Sequence, residues 1–569
     1  MEVRDSRRLT GPNILWNRPG AVLDVALDLG THAGPIVAGW EDAARPMLVA
    51  VGWGKEKLTS RTFRGGVSLA LSAPVDALYA ATEVNEWAWE AASQKLTGGG
   101  EPEESFEAAA ERLRSAISEE SNPPLLNLAA AAGRHGVTFL SDDESASVGL
   151  GAGSQSWPVR ELPEPEEVEW QEVFDVPVAL VTGTNGKTTS VRLLSAIVQA
   201  AGKRPGFCST EGVFVGSELV EAGDFAGPGG ARRVLRDRRV EVAVLETARG
   251  GMLRRGLAVP RAEVAAITNV AEDHLGEWGI YDLDELAETK MVVSRAARRL
   301  VIHADDAVLA PKAKACGLPV TWFSLDPERP ELAQADIACW LAGSELLLRR
   351  AGTTRTVADL ADVPMTLGGA ARHNVANALT AVGMAAALEI PLEAMRRGLA
   401  SFISSAEQNP GRLNRFELGG VTVLVDFAHN PHGMAALVGT AAALPARRRL
   451  VLLGQAGDRD DAAIRALARA VWSGKPDRVI VKELTSDLRG RQAGEVPRLL
   501  AEELQRLGAP AESLSFAASE LEAVREALLW AREGDLLLLV SHVARSEVLA
   551  LLQTLAAEGW TPERPLPPP

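Results

Sequence analysis

Cysteine is scarce in this sequence. Cys208, Cys316 and Cys339 are the only three in 569 residues and form no CxxC pair, which excludes a zinc cluster or a disulfide framework. They read instead as reduced, mostly buried thiols of a cytoplasmic protein. No run of about 18 apolar residues occurs, so no spanning helix and no membrane partner are expected. The opening MEVRDSRRLTGPN is charged and no apolar segment follows it, so it is not read as a signal peptide. A long Lys/Arg block is also missing. With a formal charge of −16 and a pI near 5.2, a nucleic-acid partner is not expected. No fixed-period repeat is visible, which excludes solenoid folds. What remains is a chain that is 46% hydrophobic, enough for two to four domains with their own cores.

Three textures divide it. Residues 1–160 open with the turn-rich LTGPNILWNRPG and the alternating AVLDVALDL, a predicted strand. A loop at Gly98-Gly99-Gly100 and acidic EPEES comes next, then helices at AAAERLRSAISEE and LLNLAAAAGRH and a strand at GVTFL. VGLGAGSQSWP is too rich in Gly and Ser for regular structure to be expected. Residues 161–177, proline-punctuated and acidic, read as a linker. From Val178 to residue 409, short apolar strands (PVALVTG, VEVAVLET, VAAITNV, RLVIHADD) alternate with helices, predicting a mostly parallel buried sheet. A further α/β unit with a Rossmann-like rhythm spans 410–560. The proline-rich 561–569 are expected to be disordered or extended. The fold class is therefore α/β, preceded by a separate α+β N-terminal domain.

The sharpest chemical signal is Gly183-Thr184-Asn185-Gly186-Lys187-Thr188-Thr189, which leaves a predicted strand and opens a predicted helix. Glycines there let backbone N–H groups curl around phosphate, and the helix N-terminus adds a positive field. Lys187 would neutralise the terminal phosphates, and the Thr188 or Thr189 hydroxyl would reach Mg²⁺. The loop is one residue shorter than the GxxxxGK[ST] pattern. Glu246 closes the strand VEVAVLE, where a magnesium ligand belongs in such a sheet, and the following Arg249-Gly250-Gly251 lets backbone approach a ligand. Asn269, Asp273 and His274 lie just past another strand. Asp426, His429 and Asn430 follow the strand VTVLV. Lys290, on the helix DLDELAETKMVV, has a solvated helix face as its ordinary reading.

Taken together these segments resemble the Mur ligase superfamily over residues ~176–555, and within it the C-terminal half of the cyanophycin synthetases. The likeness is carried by GTNGKTT at 183–189, GDFAGP at 223–228, ETARGGMLRRGL at 246–257 and TNVAEDHLG at 268–276. It continues through ARHNVANAL at 371–379, PGRLNRF at 410–416, VDFAHNP at 425–431, GDRDD at 457–461 and KELTSDLRGRQAGEVP at 482–497. More faintly, RRLTGPNILW at 7–16 and GVTFLSDDESASVGLGAGSQSW at 136–157 resemble the N-terminal region of the same enzymes.

The resemblance implies an ATP- and Mg²⁺-dependent ligase of the acid–amino-acid class. It puts the phosphate loop on Gly183–Thr189 and the metal on Thr188, Glu246, His274 and Lys290. In many members the lysine matched by Lys290 is carbamylated, which turns an ammonium into an anion able to hold Mg²⁺. Nucleotide contacts fall on Asn269, His373, Asn374, Asn377, Arg412 and Asp426, the last near the ribose. Thr210, Glu211, Arg249, His429 and Asn430 are assigned to the substrate side. Glu211 replaces the commoner Asp or Ser, and His303-Ala304-Asp305-Asp306 stands at the usual NADD position.

The sequence departs from cyanophycin synthetase in one large respect. No glycine-rich lid or distal magnesium carboxylates of ATP-grasp type can be found between the N-terminal region and Val178. The resemblance thus implies a ligase with one of two centres missing, joining an amino acid or amine to the carboxylate of a small acid, peptide or polymer side chain. Peptidoglycan-type and poly-γ-glutamate-type ligases, and a nucleotide-binding scaffold, are the rival readings. Residues 1–160 read either as a peptide- or polymer-binding region or as an assembly surface, and a homo-oligomer stays open.

Overall fold

The computed structural model of the chain describes residues 1–28, 30–98 and 104–568. Residues 99–103 of the glycine and acidic loop lie outside the described residues.

The strand Val178–Thr182 has five buried residues in a row, the mark of a strand covered on both faces. It lies inside an eleven-stranded sheet. Seven strands of that sheet run parallel, in the spatial order Pro205–Ser209, Val242–Glu246, Val178–Thr182, Val264–Ile267, Leu300–His303, Val320–Ser324 and Ile337–Ala342. An antiparallel hairpin closes each edge. Side-chain alternation divides the core in two. Ala179 and Val181 pack with the helices Lys187–Ala200 and Arg372–Ala387 on one face, while Val178 and Leu180 pack with Val234 and Met252 on the other. The first strand in sequence thus becomes central, with later strands on both sides of it. That makes its C-terminal end a topological switch point, where open α/β sheets leave a crevice for ligands.

Residues 414–540 form a second sheet of six strands, five parallel and one antiparallel edge strand at Asn414–Leu418. The α/β fold class therefore holds for both units. The N-terminal sheet is antiparallel, in the order Glu2–Leu9, Gly20–Ala26, Gly66–Ser72, Leu58–Phe63. The helices Ala33–Ala50 and Leu78–Thr97 bury Trp40, Met47 and Val84 against it.

Several local expectations change. The charged start is a strand, Glu2–Leu9, because Arg7 finds a buried partner in Asp24 at 2.6 Å. VGLGAGSQSWP is not all loop. Gln155–Pro158 pairs with Ser145–Val148 in a three-stranded sheet, where tertiary pairing overrides weak strand propensity. The acidic stretch 161–177 buries Val168, Val173 and Val176. The proline-rich tail, expected to fray, is docked through Pro567: Trp560 is buried, Leu566 packs on the second sheet's core, and Pro567 O accepts from Arg525. Among the described residues no helix is long and apolar enough to cross a membrane.

Candidate active site

The segment 183–189 occupies the switch point, between the strand Val178–Thr182 and the helix Lys187–Ala200. Two glycines make it possible. Gly183 (φ +145°) lies against the Thr268 side chain, and Gly186 (φ +84°) against the Asn377 amide, where a Cβ would come within 1.8 and 2.2 Å. The neighbouring strand end clamps the loop. Asn185 N–H donates to Asn269 Oδ1 at 3.0 Å, Asn269 Nδ2 donates to Asn185 O at 3.0 Å, and Thr268 Oγ1 donates to the same carbonyl at 2.6 Å. Lys187 Nζ donates to Gly183 O and Thr184 O at 3.1 and 3.0 Å. It is thus folded over the loop it would serve.

Glu246 ends the adjacent strand on the other side. Thr188 Oγ1 donates to its Oε2 at 2.8 Å, while Oε1 is buried without a partner. Burial raises the Glu246 carboxyl above its ordinary pKa, and Lys187 and Thr188 oppose this only in part. An orphaned, buried carboxylate oxygen beside a threonine hydroxyl fits a hard divalent cation, which takes one or two carboxylates together with phosphate and water.

The other two residues expected around the metal are placed differently. His274 accepts from Arg459 at Nε2 (2.8 Å), while its Nδ1 faces Glu277 at 3.3 Å. Burial pushes the imidazole pKa down, against Asp273. Such a neutral ring with a carboxylate behind it has the chemistry of a metal ligand, but Arg459 holds its free nitrogen. Among the described residues no group of three or more His, Cys, Asp and Glu side chains is gathered as a metal site. Lys290 is 3% exposed, not on a solvated face. Burial, reinforced by Lys187, sets its ammonium well below the ordinary lysine pKa.

On the helix Arg372–Ala387, Asn377 Nδ2 donates to Asn374 Oδ1 at 3.1 Å, and Asn374 Nδ2 donates to Met365 O. His373 is pushed down to about 4 by burial, and its Nδ1 lacks a partner. From the second sheet, Asp426 accepts from Leu413 N–H and Ala428 N–H, both at 2.8 Å. Burial raises its pKa, partly offset by Arg412. Arg412 lies 4.8 Å from the centre of the Phe427 ring.

The two units are drawn together over this crevice. Asn185 and Asn430 exchange amide hydrogen bonds at 3.2 and 3.0 Å, and Asn430 also caps the helix Pro431–Ala443. His429 meets Asp273 at 3.4 Å. Burial pushes the Asp273 carboxyl up, but His429, His274 and Arg459 outweigh it and hold it below the carboxylate range. Asn409 donates to Thr189 Oγ1 at 3.3 Å from the connecting segment. A cavity of about 640 Å³ results, and every sequence-predicted residue lines it except Glu211 and Asn430. Glu211 is paired instead with Arg192 at 2.5 Å and Arg545 at 3.4 Å. Thr210 lines the wall, and Arg249 bonds His274 O and Glu277, both at 2.5 Å.

The sequence reading missed Arg254, Glu277, Trp278 and His432 in this wall, and Arg459 on His274. Arg459 sits in GDRDD, just beyond the parallel strand Arg449–Leu453, and that position was the available signal. Glu277 and Trp278 had none, because the bend that brings them in is held by partners distant in sequence, Arg249 on Glu277 and Arg7 on Trp278 among them.

Residues 181–385 match the Mur ligase middle domain, and residues 411–543 match the domain described as Mur ligase, glutamate ligase domain. A cyanophycin synthetase of Synechocystis sp. is 40% identical over 332 residues, 57% of this chain and 38% of that protein. The UDP-N-acetylmuramoyl-L-alanyl-D-glutamate–2,6-diaminopimelate ligase of Geobacter metallireducens is 28% identical over 391 residues, 64% of this chain and 73% of that one. The chain thus spans less than half the length of the cyanophycin synthetases it matches. A ligand-free bifunctional folylpolyglutamate synthase/dihydrofolate synthase from Yersinia pestis shares the fold, with a TM-score of 0.50 and 22% identity over 66% of this chain and 90% of that one. Through its middle and C-terminal domains, the chain belongs to the Mur ligase family.

Proposed function

We propose that the chain is an ATP-dependent carboxylate–amine ligase working through an acyl phosphate. The observation that carries this is the pairing of Thr188 with a buried, half-satisfied Glu246 beside the phosphate loop, roofed by Arg412 and Asp426 of the second unit.

In this reading the loop N–H groups and Lys187 hold the ATP phosphates, with Lys187 released from its own loop carbonyls. His373, Asn374 and Asn377 face the base, and Asp426 the ribose. Thr188 and Glu246 hold Mg²⁺, which when bound neutralises phosphate charge. His274 joins them only if Arg459 withdraws, and Lys290 only as a carbamate. The low pKa of Lys290 favours the neutral amine that carbamylation requires. An oxygen of the substrate carboxylate attacks the γ-phosphorus in line, and the bond to the β-phosphate oxygen breaks, leaving ADP and an acyl phosphate. The amine then bonds to the acyl carbon, loses a proton, and expels inorganic phosphate. Positioning and fixed charge supply the acceleration, and the closure marked by the paired Asn185 and Asn430 amides keeps water from the acyl phosphate.

Arg249, Arg254 and Arg412 in the wall suit a carboxylate-bearing substrate: an amino acid joined to a small acid, peptide or polymer side chain. The test is Mg²⁺- and ATP-dependent phosphate release across amino acids and short acidic peptides, with mass spectrometry of the products. A new amide from one acid–amine pair, lost in Lys187→Ala, is the expected result. ATP binding with no product for any pair would count against the reading.

A further inference from the structure

The N-terminal sheet reaches the cleft wall at the helix Arg249–Arg255 and at the segment 274–281. Phe63, at the end of the strand Leu58–Phe63, lays its ring on the backbone of Gly279, where a Cβ would lie 2.6 Å from the ring. Gly279 has φ +68°, so the contact needs glycine twice over. Trp278 stands between two guanidinium groups, Arg7 at 5.0 Å and Arg254 at 5.5 Å. Arg7 is itself fixed by Asp24 and by a bond to Leu253 O at 3.0 Å. Arg4 donates to the Tyr281 hydroxyl at 3.2 Å. Behind the segment, Thr10 N–H bonds Arg255 O and Leu257 N–H bonds Pro12 O, at 2.8 and 2.7 Å.

Two residues in this segment, His274 (φ +52°) and Trp278 (φ +56°), adopt the left-handed conformation without being glycine. Such a backbone persists only where its surroundings over-determine it. Within the segment, Gly276 N–H bonds Ile280 O, Ile280 N–H bonds Glu277 O, and His274 Nδ1 faces Glu277 Oε1 at 3.3 Å. The remaining anchors are Arg249 and Arg459 at the His274 end, Arg254 on Trp278, Glu285 on Tyr281 N–H, the packing of Ile280 on Leu253 and Leu286, and the N-terminal sheet.

We infer that the N-terminal sheet is a positioning element of the cleft: Phe63 and Arg7 fix residues 274–279, and through them the His274 imidazole and the Glu277 carboxylate. The inference takes the cleft to be the ligase centre proposed above. Phe63 is a positioning residue, since it touches neither the cavity nor its contents.

The experiment is amide hydrogen exchange on the full ligand-free chain, comparing the parent with Phe63→Leu, Phe63→Val and Phe63→Ala, and with Arg64→Ala at the exposed hairpin as control. Expected is a graded loss of protection confined to residues 272–281, reaching about tenfold in Phe63→Ala. Protection of 183–189 should be unchanged, and Phe63→Leu should stay close to the parent. In phosphate-release assays the maximal rate should fall in the same order, with the KM for ATP altered less than about twofold. Unchanged protection of 272–281 in all three variants would overturn the inference. So would loss of protection everywhere at once, even in Phe63→Val. A confined loss supports it even if the parent releases no phosphate, and that silence would count against the ligase reading alone.

Discussion

Replacing Glu246 with glutamine separates what this carboxylate does for the fold from what it does for the ligand. Glu246 is 1% exposed, Thr188 satisfies one oxygen, and the other has no partner. Because burial raises its pKa, the folded protein binds this proton more tightly than the unfolded chain does. Its contribution to stability is complete below the ordinary carboxylate pKa, and is lost as pH rises through the raised folded value. Ionising Glu246 therefore costs stability in the ligand-free protein. Glutamine keeps an acceptor for Thr188 and removes the charge. The variant should gain about 1 kcal/mol, in the range seen when a functional site is relieved, or roughly 2–4 °C in Tm for a domain of this size. ATP with Mg²⁺ should act in the opposite sense. At about 100 times Kd it stabilises the parent by roughly 2.7 kcal/mol, and the Mg²⁺-dependent part should vanish in Glu246→Gln. Thermal unfolding without ligand, with ATP and EDTA, and with ATP and Mg²⁺ reads all three terms. A variant less stable than the parent without ligand, or one keeping the whole Mg²⁺-dependent shift, would refute the assignment.

Lys187→Ala should lower phosphate release by about 10²-fold or more while moving stability by under about 1 kcal/mol, since Lys187 bonds only its own loop; equilibrium denaturation beside the rate assay checks both. Asn430→Ala cuts the amide exchange with Asn185 and a helix cap. It should cost about 1–2 kcal/mol of stability and raise the KM for ATP, and an unchanged KM would show that the bond does not couple loop and roof. In the second unit, Lys482 and Glu520 form a fully buried pair, with Glu520 also accepting from Ser541, His542 and Ala544. Lys482→Met should cost about 3–5 kcal/mol by leaving that carboxylate uncompensated, measured as a urea midpoint. Burial pushes Glu520 up, but Lys482 outweighs it and brings the carboxyl down to about 2 from 4.5. The parent's corresponding stability is therefore present above pH 4.5 and lost as pH falls toward 2, and denaturant midpoints across that interval follow it.

Most of the parallel sheets and the phosphate loop were legible in the sequence because their causes are local. A run such as VALVT is apolar on both faces, and the glycines of GTNGKTT are required by the turn itself. Glu246 and Asn269 could be placed because strand ends in a parallel sheet converge on one edge. The strands Glu2–Leu9 and Gln155–Pro158 were hidden, since their polar residues gain order only from cross-strand partners. The docked tail was hidden for a similar reason: it is held by a tryptophan pocket rather than by its own pattern.

The sequence by itself determined the geometry at the loop: a glycine turn that opens a helix, and the carboxylate that stands beside it. Both follow from short-range geometry that any parallel sheet enforces. Only the tertiary structure decided that Arg459 holds His274, that Glu211 turns to Arg192 and Arg545, that Lys290 is buried, and that Phe63 bears on Gly279. Those contacts join residues far apart in the chain. Their energies come from burial and charge pairing within and between domains, which no window of sequence contains.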